Sequence, residues 1–174
     1  MAKTKLDFIT IDDARFLEVC RLYFLYKDLN NGIKSVSSRG LNLPETISEP
    51  MSCYALGYKW NKGTKGGDAT DENGSLIEIK ATSNFDDDLS SFSPNTKFDK
   101  LIFFRLKYDK NEAYIYDLGL NSDAFVNLSV NKTQTVKDQQ KLGRRPRLSL
   151  ISYINQNNIQ PVAIIDIVAR IVKK

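Results

Sequence analysis

Asp68, Glu78 and Lys80 are the residues of this chain whose types and spacing could do chemistry. Residues 75–82, Ser-Leu-Ile-Glu-Ile-Lys-Ala-Thr, carry the apolar and β-branched side chains of a β-strand. Successive strand residues point to opposite faces, so Glu78 and Lys80 share one face while Ile77, Ile79 and Ala81 share the other. A carboxylate and an ammonium set in a largely apolar strand need partners, because burying an unpaired charge is costly. The preceding Glu72-Asn73-Gly74 fits a three-residue hairpin loop, with Gly74 in the left-handed position that closes it. That loop pairs Thr70 with Leu76, Ala69 with Ile77 and Asp68 with Glu78. Directly opposed residues share a face about 4.5–5.5 Å apart at Cβ. Asp68 and Glu78 could then hold one divalent cation between them, with Lys80 beside it. A two-residue Asn-Gly loop would instead oppose Asp68 to Ile79 and turn it to the other face.

Asp68, a spacer, then Glu78-Ile79-Lys80 resembles the PD-(D/E)XK motif of many type II restriction endonucleases, with Gly67 where the motif's name has proline. The resemblance implies a metal-dependent phosphodiester hydrolase. In it Asp68, Glu78 and the backbone carbonyl of Ile79 bind Mg²⁺, and Lys80 orients or deprotonates the attacking water or stabilises charge in the transition state. Similar nucleases carry an extra acid on a helix before the motif. Leu-Pro-Glu-x-x-Ser-Glu resembles that helix, with Glu49 the favoured auxiliary acid and Glu45 the second choice.

Residues 132–147 form a second informative stretch. Lys132, Lys137, Lys141, Arg144, Arg145 and Arg147 stand against one acid, Asp138, with almost no apolar residue to give the segment a core role. Arginine and glutamine suit bidentate contacts to guanine and adenine, and both also bind phosphates. Lys137, Gln139, Gln140, Lys141, Arg144, Arg145 and Arg147 are therefore candidate DNA contacts, and Gly143 and Pro146 would shape the turn that presents the arginines. Gly-Arg-Arg-Pro-Arg also resembles part of the recognition region of small restriction enzymes. Residues 59–65, Lys-Trp-Asn-Lys-Gly-Thr-Lys, read as a basic connector whose Lys62 and Lys65 could meet the nucleic-acid backbone; a plain solvated loop fits them equally.

The elements that must position these groups follow from periodicity. A helix is expected over 12–30, capped by Asp12 or Asp13 and stopped by Asn30-Asn31-Gly32, then a polar loop over 33–42. A second helix is expected over 44–58, with Pro44 in its first turn and Ile47, Met51, Tyr54, Ala55 and Tyr58 on one stripe. Asp86-Asp87-Asp88 reads as a solvated loop or helix start, not as a calcium loop. Residues 100–108 and 112–118 read as an antiparallel strand pair, 148–157 as a helix and 161–171 as a last strand. This order predicts a single α+β or α/β domain over residues 1–174, a mixed central β-sheet flanked by helices. The nuclease resemblance implies the same layout.

Composition narrows the chemistry. The chain has no histidine, which excludes Ser-His-Asp and Cys-His catalysis and histidine-based zinc sites. Cys20 and Cys53 are isolated and are expected to be buried thiols in a reducing cytoplasm. A formal charge of +4 permits a nucleic-acid partner. No run approaches the ~18 apolar residues of a membrane span, and the first residues do not resemble a signal peptide. The expected function is that of a type II restriction endonuclease acting on double-stranded DNA, by resemblance at a short, G·C-rich interrupted palindrome. One active site per chain predicts a homodimer for cutting both strands, and the resemblance implies pairing with a cognate DNA methyltransferase. Two alternatives share these features: a structure-directed repair or junction-resolving nuclease, and a non-catalytic DNA-binding protein in which Glu78 and Lys80 form only an ion pair.

Overall fold

The computed structural model describes residues 7–63 and 66–174. Its strands are β1 (Phe8–Thr10), β2 (Lys59–Asn61), β3 (Ala69–Thr70), β4 (Leu76–Thr82), β5 (Ser90–Ser91), β6 (Lys100–Lys107), β7 (Glu112–Asp117), β8 (Arg147–Leu148), β9 (Ala163–Asp166) and β10 (Ile171–Lys173). The helices are α1 (Asp13–Val36), α2 (Glu45–Leu56), α3 (Ser122–Phe125), α4 (Val136–Lys141) and α5 (Leu150–Asn157). Eight strands form one mixed sheet in the order β1-β2-β3-β4-β6-β7-β9-β10, parallel at β4–β6 and otherwise antiparallel. β5 and β8 make a separate two-stranded ribbon. The mixed sheet flanked by helices is the α+β layout that the order of elements predicts.

Strand alternation divides the core. Ile77, Ile79, Ile102, Phe104, Ile115 and Ile165 pack with Phe16, Cys20, Tyr23, Ile47, Met51 and Cys53 of α1 and α2. On the opposite face Leu101, Phe103 and Tyr116 pack with Phe92, Phe125, Val136, Leu150, Ile151 and Ile154. Glu78 and Lys80 stand in register with Leu101 and Phe103, so they project on this second face, opposite to Ile77 and Ile79. Both cysteines are buried, as expected.

Tertiary contacts override local signals at several points. α1 runs through Asn30-Asn31-Gly32 to Val36 instead of stopping there. Buried Asn30 explains this: its Nδ2 donates to the Tyr108 hydroxyl at 3.0 Å and its Oδ1 accepts the Leu41 N–H at 2.7 Å. These long-range bonds outweigh the ~1 kcal/mol disadvantage of Gly32 in a helix. Pro44 is the N-cap of α2 and not part of its first turn, and the helix closes on Gly57, whose φ of 73° suits glycine. The basic connector is partly strand, since β2 pairs with both β1 and β3. The segment expected as one strand over 161–171 is a hairpin, with Asp166 paired to Ile171 and the turn made through Arg170 at φ 58°.

The basic segment is not without core contacts. Val136 is fully buried, and Thr135 and Asp138 make a reciprocal capping box that starts α4. Asp88 is not a solvated residue of the aspartate run. Its carboxylate accepts from the backbone N–H groups of Leu150 and Ile151 and the hydroxyls of Ser90 and Ser149 at 2.8–3.0 Å, which ties the β5 segment to the start of α5.

Candidate active site

The hairpin has the three-residue-loop register, Thr70 opposite Leu76 and Ala69 opposite Ile77. Its cause lies in Asp71. One carboxylate oxygen of Asp71 accepts the N–H groups of Asn73 and Ser75 at 3.0 and 2.9 Å, and the other takes Lys100 Nζ at 2.9 Å. The ammonium and these N–H groups hold its pKa down to about 2. Gly74 occupies the left-handed region at φ 80°, as the turn requires.

The pairing ends at Ala69 and Ile77, so Asp68, one residue before β3, is not paired with Glu78 as the loop count expected; its N–H donates to Ile77 O at 2.9 Å, the residue opposite Ala69. Beyond this bond the strands diverge, and Asp68 Oδ2 accepts the Ile79 N–H at 2.7 Å in place of a strand partner. Within a strand one residue's N–H and C=O point to the same side, so the Ile79 carbonyl faces the gap that Asp68 occupies. Gly67 explains the absence of proline from the motif. Its φ is 80°, which proline cannot adopt, and an added Cβ would lie 3.3 Å from Ile77 O. Asn61, which the sequence did not single out, braces this corner. Its Nδ2 donates to Gly67 O at 2.8 Å and its N–H to Asp68 O at 2.9 Å.

Glu78 and Lys80 form an ion pair at 2.6 Å, and Lys80 Nζ stands 5.3 Å above the ring of buried Phe92. Glu49 reaches the same corner from α2. A cavity of about 390 Å³ is lined by Glu45, Thr46, Glu49, Trp60, Asn61, Lys62, Asp68 and Glu78. The Glu49 carboxylate accepts the Trp60 indole N–H at 2.7 Å, a partner that strand β2 supplies and that helical spacing gave no hint of.

The electrostatics are those of too much negative charge in too little water. Burial first, and then the charge of Glu78, raises the Asp68 carboxyl to about 6, against the pull of the Ile79 N–H and Lys80. Burial, then Asp68 and Glu45, pushes Glu49 up to about 8, opposed by the Trp60 N–H and Lys80. A cation at this corner would relieve both shifts. Among the described residues no three acidic, cysteine or histidine side chains converge closely enough to cage a metal ion by themselves. The donor set suits a hard ion that takes oxygen ligands and keeps several waters, with Asp68, Glu78 and the Ile79 carbonyl as protein ligands.

The candidate DNA contacts fall in three places. Lys62 borders the acidic cavity and is exposed; Lys65 lies outside the described residues. Lys137, Gln139, Gln140 and Lys141 lie on α4, where Gln139 Nε2 already donates to Gln134 Oε1 at 2.7 Å. Arg144, Arg145 and Arg147 are exposed on the turn that joins α4 to β8. Arg145 lines a second cavity of about 390 Å³ together with Lys80 and Glu45, so the basic segment reaches the acidic corner itself.

Comparison with known proteins gives the family. A model of the Bsp6I restriction endonuclease family matches residues 11–157, a span that holds Glu49, the hairpin and the basic segment. The type II restriction enzyme Bsp6I of Bacillus sp. (strain RFL6) is 50% identical over 163 residues, which cover 92% of this chain and 93% of that enzyme. With its acidic corner and its basic segment both inside the matched region, the chain belongs to the Bsp6I restriction endonuclease family.

Proposed function

We propose that this type II restriction endonuclease hydrolyses double-stranded DNA at a short, G·C-rich interrupted palindrome with Mg²⁺ as its cofactor, and that the whole chain is one nuclease domain. The observation that best supports the site is that Asp68, Glu78 and Glu49 line one cavity, with the Asp68 carboxylate on the Ile79 N–H and the Ile79 carbonyl on the same side of its strand. Asp68, Glu78 and that carbonyl would hold the ion. When bound, it supplies Lewis-acid polarisation of a phosphate oxygen and lowers the pKa of a water.

The residues of the chain do the rest. Lys80, held by Glu78 and by the Phe92 ring, directs its ammonium at the attacking water or at the charge growing on the phosphate. The water oxygen bonds to phosphorus, the bond to the leaving sugar oxygen breaks, and that oxygen takes a proton. Glu49, whose carboxyl burial pushes up to about 8, keeps its proton near neutrality and would give it up as it steadies a water or a second ion at the corner. Lys137, Gln139, Gln140, Lys141, Arg144 and Arg147 read the DNA and Lys62 and Lys65 hold its backbone.

A second copy completes the reading. Leu22, Leu25, Leu29 and Val36 are exposed along one face of α1, flanked by Arg21 and Asp28 seven residues apart. Antiparallel pairing of two α1 helices would seal this ridge and bring Arg21 of each chain against Asp28 of the other, giving a homodimer with one site per strand. A cognate DNA methyltransferase would protect the host sequence, and the pair would work in the cytoplasm. No helix among the described residues is long and apolar enough to cross a membrane.

The test is incubation of the purified protein with unmethylated plasmid and phage DNA, with Mg²⁺ or EDTA, beside Asp68→Ala. Discrete fragments that need both Mg²⁺ and Asp68 are expected, and their ends give the recognition sequence. Cleavage that persists in EDTA or in Asp68→Ala would overturn the site.

A further inference from the structure

The three arginines of Gly-Arg-Arg-Pro-Arg are alike in sequence, but the fold separates them. Arg145 lines the cavity of about 390 Å³ that also holds Lys80, Glu45, Thr82, Ser90 and Ser91. Arg147, two residues on, lines a different cavity with Leu148 and Tyr153. Among the described residues no carboxylate lies within ion-pair distance of Arg145, whereas Lys80 is committed to Glu78. Glu45 lines the cavity too but is not ion-paired with Arg145, so of the two cations here Arg145 is the one whose donors are free of a carboxylate.

The backbone on both sides of Arg145 is held in place. The N–H of Arg144 donates to Gln139 O at 3.0 Å, and Gly143 turns the chain at φ 67°. Pro146 is buried and its carbonyl accepts the Phe92 N–H at 3.0 Å; Arg147 and Leu148 then pair with Ser91 and Ser90. Phe92 is also the residue whose ring lies under Lys80 Nζ. One ribbon thus fixes both cations, Lys80 through a ring and Arg145 through a carbonyl one residue away.

The geometry points to this cavity as a phosphodiester-anion subsite, in which Arg145 is a catalytic residue that contacts the scissile phosphate rather than a reader of bases. The inference rests on the nuclease reading above. Arg145 donates two parallel N–H groups to non-bridging oxygens of the phosphate as negative charge accumulates there, and it transfers no proton. The bond changes are those of hydrolysis: water oxygen to phosphorus forms, phosphorus to the leaving sugar oxygen breaks. Because Arg145 is exposed, its replacement leaves the core intact.

The experiment measures single-turnover cleavage of a plasmid carrying one mapped site in Mg²⁺, and binding of the same DNA without Mg²⁺, for wild type, Arg145→Ala, Arg145→Lys and Asp68→Ala. Arg145→Ala is expected to lower the cleavage rate constant roughly 10²–10³-fold, with binding within about threefold and an unchanged recognition sequence. Arg145→Lys should recover part of the rate. Wild-type cleavage by Arg145→Ala beside an inactive Asp68→Ala would overturn this inference and leave the nuclease reading standing. A loss of rate matched by an equal loss of binding would assign Arg145 to DNA capture and also overturn it. An active Asp68→Ala would remove the reading and this inference together.

Discussion

At the residue scale the acidic corner crowds more carboxyl groups together than the ammonium of Lys80 offsets. The Glu49 carboxyl lies near 8 when folded against an ordinary value of 4.5, so the folded chain keeps a proton that the unfolded chain has released between those values. Its contribution to stability is therefore fully present below about 4.5 and is lost as pH rises through about 8. Without divalent ions, Glu49→Gln should raise the melting temperature at pH 9 by about 5 °C or more and leave it nearly unchanged at pH 4; thermal unfolding at the two pH values checks this. Equal effects at both would show that burial of Glu49 is not what raises its pKa. Gly67 gives a second prediction. Its left-handed φ and the 3.3 Å approach of Ile77 O mean that Gly67→Ala should cost about 1–2 kcal/mol in urea unfolding. Cleavage should fall further than stability, because Asp68 is the next residue. That Glu78 and Lys80 share a strand face and that Asp68 comes near them was legible from residue types and spacing, whereas the end of the pairing at Ala69 was not. Trp60 and Asn61 were not, because an indole and an amide acquire their roles only when β2 lies beside the hairpin.

At the element scale, short pieces of structure do work that their propensities do not announce. Asp88 is the clearest case, since three adjacent aspartates look alike and only this one caps α5. Asp88→Ala should destabilise the protein by about 1–3 kcal/mol, whereas Asp86→Ala and Asp87→Ala, exposed neighbours, should stay within about 0.5 kcal/mol. Urea unfolding of the three variants decides it, and equal small effects would return Asp88 to the solvated loop. Loss of this cap should also slow cleavage, because the β5–β8 ribbon that the cap anchors carries both Phe92 and Arg145. α4 follows the same logic: buried Val136 and the Thr135–Asp138 box turn a basic stretch into a placed helix.

At the scale of the whole molecule, two proposals concern partners. If Lys137, Lys141 and Arg144 neutralise phosphates, replacing all three by alanine should reduce the slope of log binding constant against log salt by between about 2 and 3. An unchanged slope would place the DNA elsewhere. The exposed ridge of α1 predicts that Leu25→Asp combined with Leu29→Asp gives monomers in light scattering. Supercoiled plasmid should then accumulate as the nicked circle, since a lone site cuts one strand at a time. A double variant that remains dimeric would locate the interface on another face.

The sequence by itself determined the local features: a period-two strand with a charged pair on one face, a turn with glycine in the left-handed position, a basic stretch, and no histidine for rival chemistries. These depend on residue type and on spacings of a few residues, which survive in any tertiary setting. Tertiary structure alone decided the rest. The Asp71–Lys100 ion pair, 29 residues apart, supports the hairpin register that opposes Ala69 to Ile77 and brings Asp68 beside Ile79. Asn30 and Tyr108 carried α1 past its apparent stop. Pro146 and Phe92, 54 positions apart by their numbers, set one arginine of three beside Lys80. In each case the deciding contact joins segments distant in the chain, and its strength depends on burial that no local pattern encodes.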